Sequence, residues 1–418
     1  MIAKKTIIQD VKLADFPEEV DEQNGIKIYG ETSWENRLAI LSHYLHNNNY
    51  IEDKESRQEI IYAIREFLER KKNGNGEEIT DEYVTKVAEN PMDYNLFSDF
   101  YHVPFPNPQF GQRTLIDLFA GIGGIRLPFN EMGYKCVFSS EWDKNAQKTY
   151  FANFGEMPFG DITKKSVKEY IPEHFDLLLA GFPCQAFSIM GKMQGFADIR
   201  GTMFFEVATI LDRHRPEAIL LENVKQLTTH DHGKTFATIL RTLDELGYHV
   251  KWKVLNALDF GLPQKRERVI IVGFRSQLRC DAFNFDFERK TYNLKEILEE
   301  DDCIDSSLFA SDMILQKRQK QIEGKTIFYP SIWHENKAGN VSILDYACAL
   351  RTGASYNYLL VNGQRRPSSR ELLRLQGFPD NYKIAVSHGE IRRQTGNSVA
   401  VPMIREIARK IDYILNNI

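Results

Sequence analysis

Apolar residues recur along this chain in two rhythms, and the change between them falls near residue 113. Before it, Leu38, Ile40, Leu41 and Leu45 keep a loose helical spacing, with Thr32 and Glu35 placed as a capping box. A second helix is predicted over 56–72, with Ile60, Ile61, Ile64, Phe67 and Leu68 on one side and Asn73-Gly74-Asn75-Gly76 ending it. A third begins near Thr80 and stops before Pro91. Val103-Pro104-Phe105-Pro106-Asn107-Pro108 then reads as an extended linker, because proline disfavours helix for itself and for the residue before it. The plain reading of 1–112 is a small helical bundle packed on its neighbour.

From Arg113 onward, short apolar runs alternate with helical patterns. Strands are predicted at 114–119, 135–140, 175–180, 218–221, 250–255 and 268–274. Helices are predicted from the glycine turn 120–124 to Gly133 and at 144–154, 202–213, 233–246 and 403–415. Such alternation predicts an α/β fold with a mostly parallel sheet covered on both faces. Residues 276–345 lose the rhythm and are expected to form a smaller irregular domain or large insertion.

Composition narrows the class. Of the 418 residues, 42% are hydrophobic and 27% charged, ordinary for a globular protein. No apolar run is long enough for a membrane span, and Met1-Ile2-Ala3-Lys4-Lys5-Thr6 does not start a secretory signal, so a cytoplasmic protein is expected. The net charge of −5 is unevenly spread: residues 1–112 hold 12 Lys+Arg against 21 Asp+Glu, leaving the rest mildly basic. That body is compatible with a polyanionic partner, while the acidic quarter is not a nonspecific DNA clamp. Cys136, Cys184, Cys280, Cys303 and Cys348 are scattered with no zinc-like spacing, so free thiols and no metal are expected.

Two stretches carry candidate chemistry. Ala120-Gly121-Ile122-Gly123-Gly124 after the first strand lets backbone approach a ligand at a helix start. Glu141, 20 residues beyond Gly121, is where a carboxylate can hold both hydroxyls of a ribose. Trp142 offers a flat face for an adenine, and Asp161-Ile162 an edge for the same base. A dinucleotide oxidoreductase would present much the same geometry, although Gly121-Ile122-Gly123-Gly124-Ile125-Arg126 lacks the last glycine of that fingerprint. At the other stretch, Gly181-Phe182-Pro183-Cys184-Gln185 delivers a thiol to a strand end, with Pro183 fixing the turn. The segment 189–202, with Gly191, Gly195 and Gly201 among Lys192 and Arg200, suits a hinged lid that contacts phosphates. Glu222 ends another strand, and Gln264-Lys265-Arg266-Glu267-Arg268 supplies planar cations. Thiol, carboxylate and guanidinium together suit attack on an electron-poor heterocycle.

In order along the chain, these segments resemble the DNA (cytosine-5) methyltransferases of the bacterial restriction–modification type. The resemblance runs from about Arg113 to Ile418. Its motifs are Asp117-Leu118-Phe119-Ala120-Gly121-Ile122-Gly123-Gly124, Gly181-Phe182-Pro183-Cys184-Gln185, Glu222-Asn223-Val224, Gln264-Lys265-Arg266-Glu267-Arg268, Arg374-Leu375-Gln376-Gly377-Phe378-Pro379 and Gln394-Thr395-Gly396-Asn397-Ser398-Val399. It implies a Rossmann-like sheet that uses S-adenosylmethionine as methyl donor. Phe119, Gly121, Gly123, Glu141, Trp142, Asp161, Ile162, Pro183 and Asn397 are its expected donor contacts. It also implies a catalytic domain over 113–275, a target-recognition domain and hinge over 276–388, and a segment 389–418 that returns to the catalytic domain. The acidic helical extension 1–112 lies outside it. Where the family carries Thr-Leu near the end of its recognition region, this chain reads Ala349-Leu350.

The implied chemistry has Cys184 adding to carbon 6 of a flipped cytosine in duplex DNA. Glu222 would serve nitrogen 3, and Arg268, helped by Arg266, would hold the oxygen on carbon 2. Gln185, Ser188, Lys192 and Arg200 are the expected DNA contacts. A monomer is expected, with a cognate restriction endonuclease as a partner in function only. The alternatives are an RNA cytosine-5 methyltransferase acting on tRNA, a nicotinamide oxidoreductase and a non-catalytic DNA-binding regulator.

Overall fold

The computed structural model describes residues 18–21, 26–29, 33–46, 54–72, 79–89, 97–108, 111, 113–183 and 203–418. Its centre is a six-stranded sheet of β1 (Thr114–Leu118), β2 (Lys135–Ser140), β3 (Leu177–Ala180), β4 (Ala218–Val224), β5 (His249–Asn256) and β6 (Glu267–Phe274). The order is β2-β1-β3-β4-β6-β5. Strands β1 to β4 run parallel, and β6 is antiparallel to both of its neighbours. This is the mostly parallel α/β sheet that the alternating pattern predicts.

Successive side chains of a strand point to opposite faces, and here each face has its own core. Ile116, Leu118, Leu178, Ala180, Ile219 and Leu221 fall on one side. Leu115, Leu177, Leu179, Leu220, Ile270 and Val272 fall on the other, where Ile404, Ile407 and Ile411 of the closing helix Val401–Asn417 cover them. Helices Trp34–His46, Lys54–Lys72 and Asp81–Glu89 pack into the first core rather than building a separate one, through Leu41, Ile64, Leu68, Val84 and Val87. Thr32, expected as their N-cap, lies outside the described residues; the Ser33 hydroxyl instead accepts the Asn36 N–H (3.4 Å).

Two features depart from the expectation. An antiparallel pair, Glu18–Asp21 with Ile26–Tyr29, precedes the helices. The region after 276 is more regular than its sequence suggests. It holds helix Asp312–Gln321 and a three-stranded antiparallel sheet of Val341–Leu344, Ile332–Glu335 and Leu359–Val361. Strands of three or four residues are too short to show a period. A third core joins this region to the glycine turn, with Leu359, Leu372, Phe378 and Tyr382 against Ile122, Leu127 and Phe154. Gly123 sits at φ +75°, and a Cβ there would fall 2.2 Å from the Phe154 ring, so only glycine fits that turn.

Buried polar groups tie the elements together. Arg126, on the helix after the glycine turn, pairs with Glu156 (3.1 Å) with both side chains fully buried. Tyr150 Oη receives an Arg126 N–H (2.8 Å), and the Ser139 hydroxyl donates to Glu156 (2.8 Å). Burial alone would raise the Glu156 carboxyl, but the Arg126 guanidinium holds it well below the usual range. His46 lies beside this cluster, and burial pushes its imidazole down to about 4 against the pull of Glu156. Arg266, 1% exposed, donates to the carbonyls of Leu350 (3.1 Å), Gly396 (3.1 Å) and Ser398. Gln264 takes the Leu350 N–H (3.1 Å) and donates to the Leu375 carbonyl (2.6 Å).

Two expectations follow. Arg266→Ala leaves three buried carbonyls without their donor and should lower unfolding free energy by about 3 kcal/mol in urea titrations. Arg266→Lys should recover only part of it, since an ammonium cannot span the three acceptors as a planar fork does. For His46 the folded value lies below the ordinary imidazole value of 6.5, so the unfolded chain takes up the proton first. Stability present above about pH 6.5 is therefore lost as pH falls toward 4. Thermal unfolding at pH 7 and pH 5 should show that loss, and His46→Gln should show less of it.

Candidate active site

The C-terminal ends of parallel strands are where an open α/β sheet binds its ligands, and the predicted residues gather there. Strand β1 ends at Leu118, and Phe119 turns the chain at φ +54°, a left-handed conformation uncommon for a bulky side chain. The N–H of Gly121 points at Glu141, just past β2, and meets its Oε2 at 2.8 Å. The Asp143 N–H binds Oε1 at 2.8 Å. Burial pushes the Glu141 carboxyl up, while these backbone donors pull it back. A carboxylate has about four acceptor positions, so two such bonds fix the group and leave room for two hydroxyls. Trp142 is 81% exposed, an unusual state for the largest side chain, and presents an open ring face next to that carboxylate.

The third strand-like segment completes this end. Phe159 receives the Glu141 N–H (2.8 Å) and donates to the Ser139 carbonyl (2.8 Å), which brings Asp161 and Ile162 to the same edge. Asp161 Oδ1 already takes the N–H and hydroxyl of Thr163. The Ile162 side chain is 4% exposed and belongs to the core, so only its backbone is free to edge a base. Asn397 is exposed at the end of helix His388–Asn397. The next two residues, Ser398 and Val399, lie 2.8 and 3.0 Å from where a Gly124 Cβ would be. The last motif therefore packs on the glycine turn, and Tyr382 Oη donates to the Ile122 carbonyl (2.6 Å) beside it.

The second end is built on β3, β4 and β6. Glu222, near the end of β4, is 8% exposed. Arg268 enters from the antiparallel neighbour, its Nε 2.9 Å from Glu222 Oε1. Burial raises the Glu222 carboxyl, with Arg268 and Arg266 opposing it. A Cβ on Gly181 would sit 3.5 Å from Glu222 Oε2, so the chain leaving β3 passes directly over this carboxyl. Asn223 Nδ2 donates to the Phe182 carbonyl (2.8 Å) and pins that exit to β4. Pro183 follows, exposed. Cys184, Gln185, Ser188, Lys192 and Arg200 lie outside the described residues.

Arg266 sits deeper than Arg268: its Nη groups donate to the carbonyls of 350, 396 and 398, while its charge, with that of Arg268, opposes the rise of the Glu222 carboxyl. Arg266 lies just before β6, with Gln264, in the buried joint, whereas Arg268 within β6 reaches Glu222. Asn223 and Gln264 went unpredicted, though both flank or sit in the motifs. Their signal was an amide beside a charged residue at a strand end, a side chain that can donate to one backbone carbonyl and accept one backbone N–H at the same time.

A family model described as C-5 cytosine-specific DNA methylase matches residues 113–413. The type II methyltransferase M.HaeII of Haemophilus aegyptius is 57% identical over 304 residues, 72% of this chain and 93% of that protein. M.NgoBI of Neisseria gonorrhoeae is 57% identical over 301 residues, with the same coverage. M.HhaI of Haemophilus parahaemolyticus is 40% identical over 329 residues, 75% of this chain and 98% of that protein. Among solved structures, the Entamoeba histolytica methyltransferase EhMeth matches with TM-score 0.56 at 16% identity over 73% of this chain and 99% of its own. The S. pombe Dnmt2 methyltransferase matches with TM-score 0.53 at 20% identity over 73% of this chain and 100% of its own. Those two likenesses concern the fold. With three-quarters of its length under the family model, the chain belongs to the C-5 cytosine-specific DNA methylases.

Proposed function

We propose that this enzyme methylates carbon 5 of a cytosine swung out of duplex DNA, through a transient bond from Cys184 to carbon 6. The observation that carries the reading is Glu222: a buried carboxyl with a raised pKa, ion-paired to Arg268 at 2.9 Å, under the chain that leads to Cys184 two residues beyond Phe182. Carbon 5 of cytosine is a poor nucleophile. Sulfur adding at carbon 6 breaks the ring's aromaticity and makes carbon 5 enamine-like. Electron density then moves toward nitrogen 3, where a protonated Glu222 donates. Arg268 holds the oxygen on carbon 2. After methylation the carbon 5 proton leaves, the carbon 6–sulfur bond breaks, and Cys184 is regenerated. Extruding the base costs a few kcal/mol, offset by contacts that form only with the flipped nucleotide.

The donor read for the first end is S-adenosylmethionine, which supplies an electrophilic methyl group when bound. Glu141 would hold its ribose, Trp142 its adenine face, and Asp161 with the Ile162 backbone its adenine edge. Phe119, Gly121, Gly123, Pro183 and Asn397 would line the rest. Gln185, Ser188, Lys192 and Arg200 would contact DNA, with 276–388 reading its sequence and 113–275 and 389–418 forming the catalytic body. The similarity to type II methyltransferases supports a role in protecting host DNA from a cognate endonuclease, by a monomer in the cytoplasm. No described helix is long and apolar enough to cross a membrane.

A duplex carrying 5-fluorocytosine blocks loss of the carbon 5 substituent and should trap the chain covalently when donor is present. Absence of a trapped species on a library of such duplexes, with tRNA as the parallel arm, sinks the adduct. Cys184→Ser should bind DNA but transfer no methyl. Glu222→Gln should slow transfer by about 10²–10⁴. Because Glu222 acts as an acid, wild-type rate should fall as pH rises through its raised pKa, and the variant should lose that limb. Glu141→Ala should raise the donor KM more than it lowers kcat.

A further inference from the structure

The donor pocket has a back wall, and that wall comes from outside the family match of 113–413. Strand β2 is an edge of the sheet, so its outward N–H and C=O groups need partners. The N-terminal unit supplies them. Asn107 makes a two-way bond with Cys136: Nδ2 donates to its carbonyl (2.7 Å) and Oδ1 takes its N–H (2.9 Å). Three residues on, His43 Nε2 takes the Ser139 N–H (3.2 Å), while its Nδ1 donates to the Ala39 carbonyl (2.8 Å). Glu156 Oε1 lies 3.2 Å from the same Nε2. The Ser42 hydroxyl takes the Met157 N–H (3.0 Å). The His43 ring lies against Phe159 with centroids 4.7 Å apart.

These contacts converge on 156–159, the segment that holds the Glu141 backbone and leads to Asp161. The front of the same helix reaches the rim of the pocket. Glu35 pairs with Lys144 (2.9 Å), two residues from Trp142. Asn36 Oδ1 lies 3.6 Å from where a Gly160 Cβ would sit, next to Asp161. The catalytic body is shaped to receive this unit. Gly155 stands at φ +67°, and a Cβ there would fall 1.9 Å from the Phe100 carbonyl oxygen, so any other residue would push the two apart.

We propose that helix Trp34–His46 is a working part of the donor site, with Ser42 and His43 as positioning residues that hold 156–159 so that Glu141 and Asp161 meet the nucleoside. The inference rests on the S-adenosylmethionine reading. Loss of the Ser139–His43 bond frees the outer edge of β2 and lets the Glu141 backbone drift. Donor affinity should then fall while the chemical step, built on β3, β4 and β6, stays intact.

The test measures S-adenosylmethionine and S-adenosylhomocysteine affinity by calorimetry on the full chain, with melting temperature and steady-state kinetics in parallel. His43→Ala should weaken both ligands by about tenfold, the size of one or two lost hydrogen bonds, and raise donor KM with kcat nearly unchanged. His43→Gln, which restores an acceptor for the Ser139 N–H, should recover most of it. Ser42→Ala should act in the same direction and serves if His43→Ala fails to fold. Val84→Ala, buried in the same unit but away from β2, should lower the melting temperature without moving donor affinity. If His43→Ala and Ser42→Ala lose only melting temperature and bind donor as the parent does, the inference is overturned and the helix is a cover. If the parent chain binds neither nucleoside, the donor reading itself falls.

Discussion

A guanidinium and a carboxylate with no exposed surface hold the glycine turn and the segment around Asp161 in register. Arg126 follows the glycine turn, and Glu156 precedes the segment bearing Asp161. Taking both charges out of water costs several kcal/mol per ion, and their attraction offsets this only when the remaining donors and acceptors are also satisfied. Here most of them are: Tyr150 and Ser139 bond the pair, and Asp117, pushed up to about 7 by burial, takes the Tyr150 hydroxyl, while Arg126 Nε alone of the guanidinium nitrogens has no hydrogen-bond partner. Such a cluster adds little net stability over an apolar core, but losing one member leaves a buried charge alone at a cost of about 3–5 kcal/mol. It therefore penalises misplacement of the turn relative to β2. That is the precision a binding site needs when a carboxylate such as Glu141 and a backbone N–H such as that of Gly121 are to be held at fixed positions.

The second end follows the same logic with a different balance. At Glu222 burial outweighs the pull of Arg268 and Arg266, so its pKa rises, whereas at Glu156 the fully buried Arg126 outweighs burial and the pKa falls. Two carboxylates of one fold thus shift in opposite directions because their surroundings differ, not their chemistry. By giving its donors to carbonyls of 350, 396 and 398, Arg266 fixes the start of the strand that carries Arg268 and joins the segment around 350 to the last motif.

Much of this was legible in the sequence. Helix Lys144–Phe154 and strand β2 have the predicted bounds, since an Asp143 cap, a Gly155 stop and the short apolar run Cys136–Phe138 state them locally. Glu141 and Glu222 fall at the ends of predicted strands, and the structure places both there. What could not be read depends on contacts between distant segments. Arg266 and Arg268 differ by two positions in one motif, and only the carbonyls arriving from 350 and 396–398 bond the first into the joint while the second pairs with Glu222. The short strands after 276 have too few residues to show a period, and their pairing is set by each other.

The N-terminal unit shows the same limit more sharply. Its acidity and helical spacing predict a bundle, and nothing in 33–46 marks His43 as different from a buried core histidine. What distinguishes it is the unfilled edge of β2, roughly a hundred residues away, and an edge N–H is invisible in a sequence. The reverse signal was present: Gly155 after a helix reads as an ordinary C-cap, yet the Phe100 carbonyl pressed against it shows that the catalytic body is fitted to the extension. A domain that merely leaned on its neighbour would not need a glycine beneath it, an amide pairing with the sheet edge and a hydroxyl on the Met157 N–H. Together they make the extension continuous with the sheet in hydrogen bonding as well as in apolar packing, so its loss should be felt first where β2 ends, at Glu141.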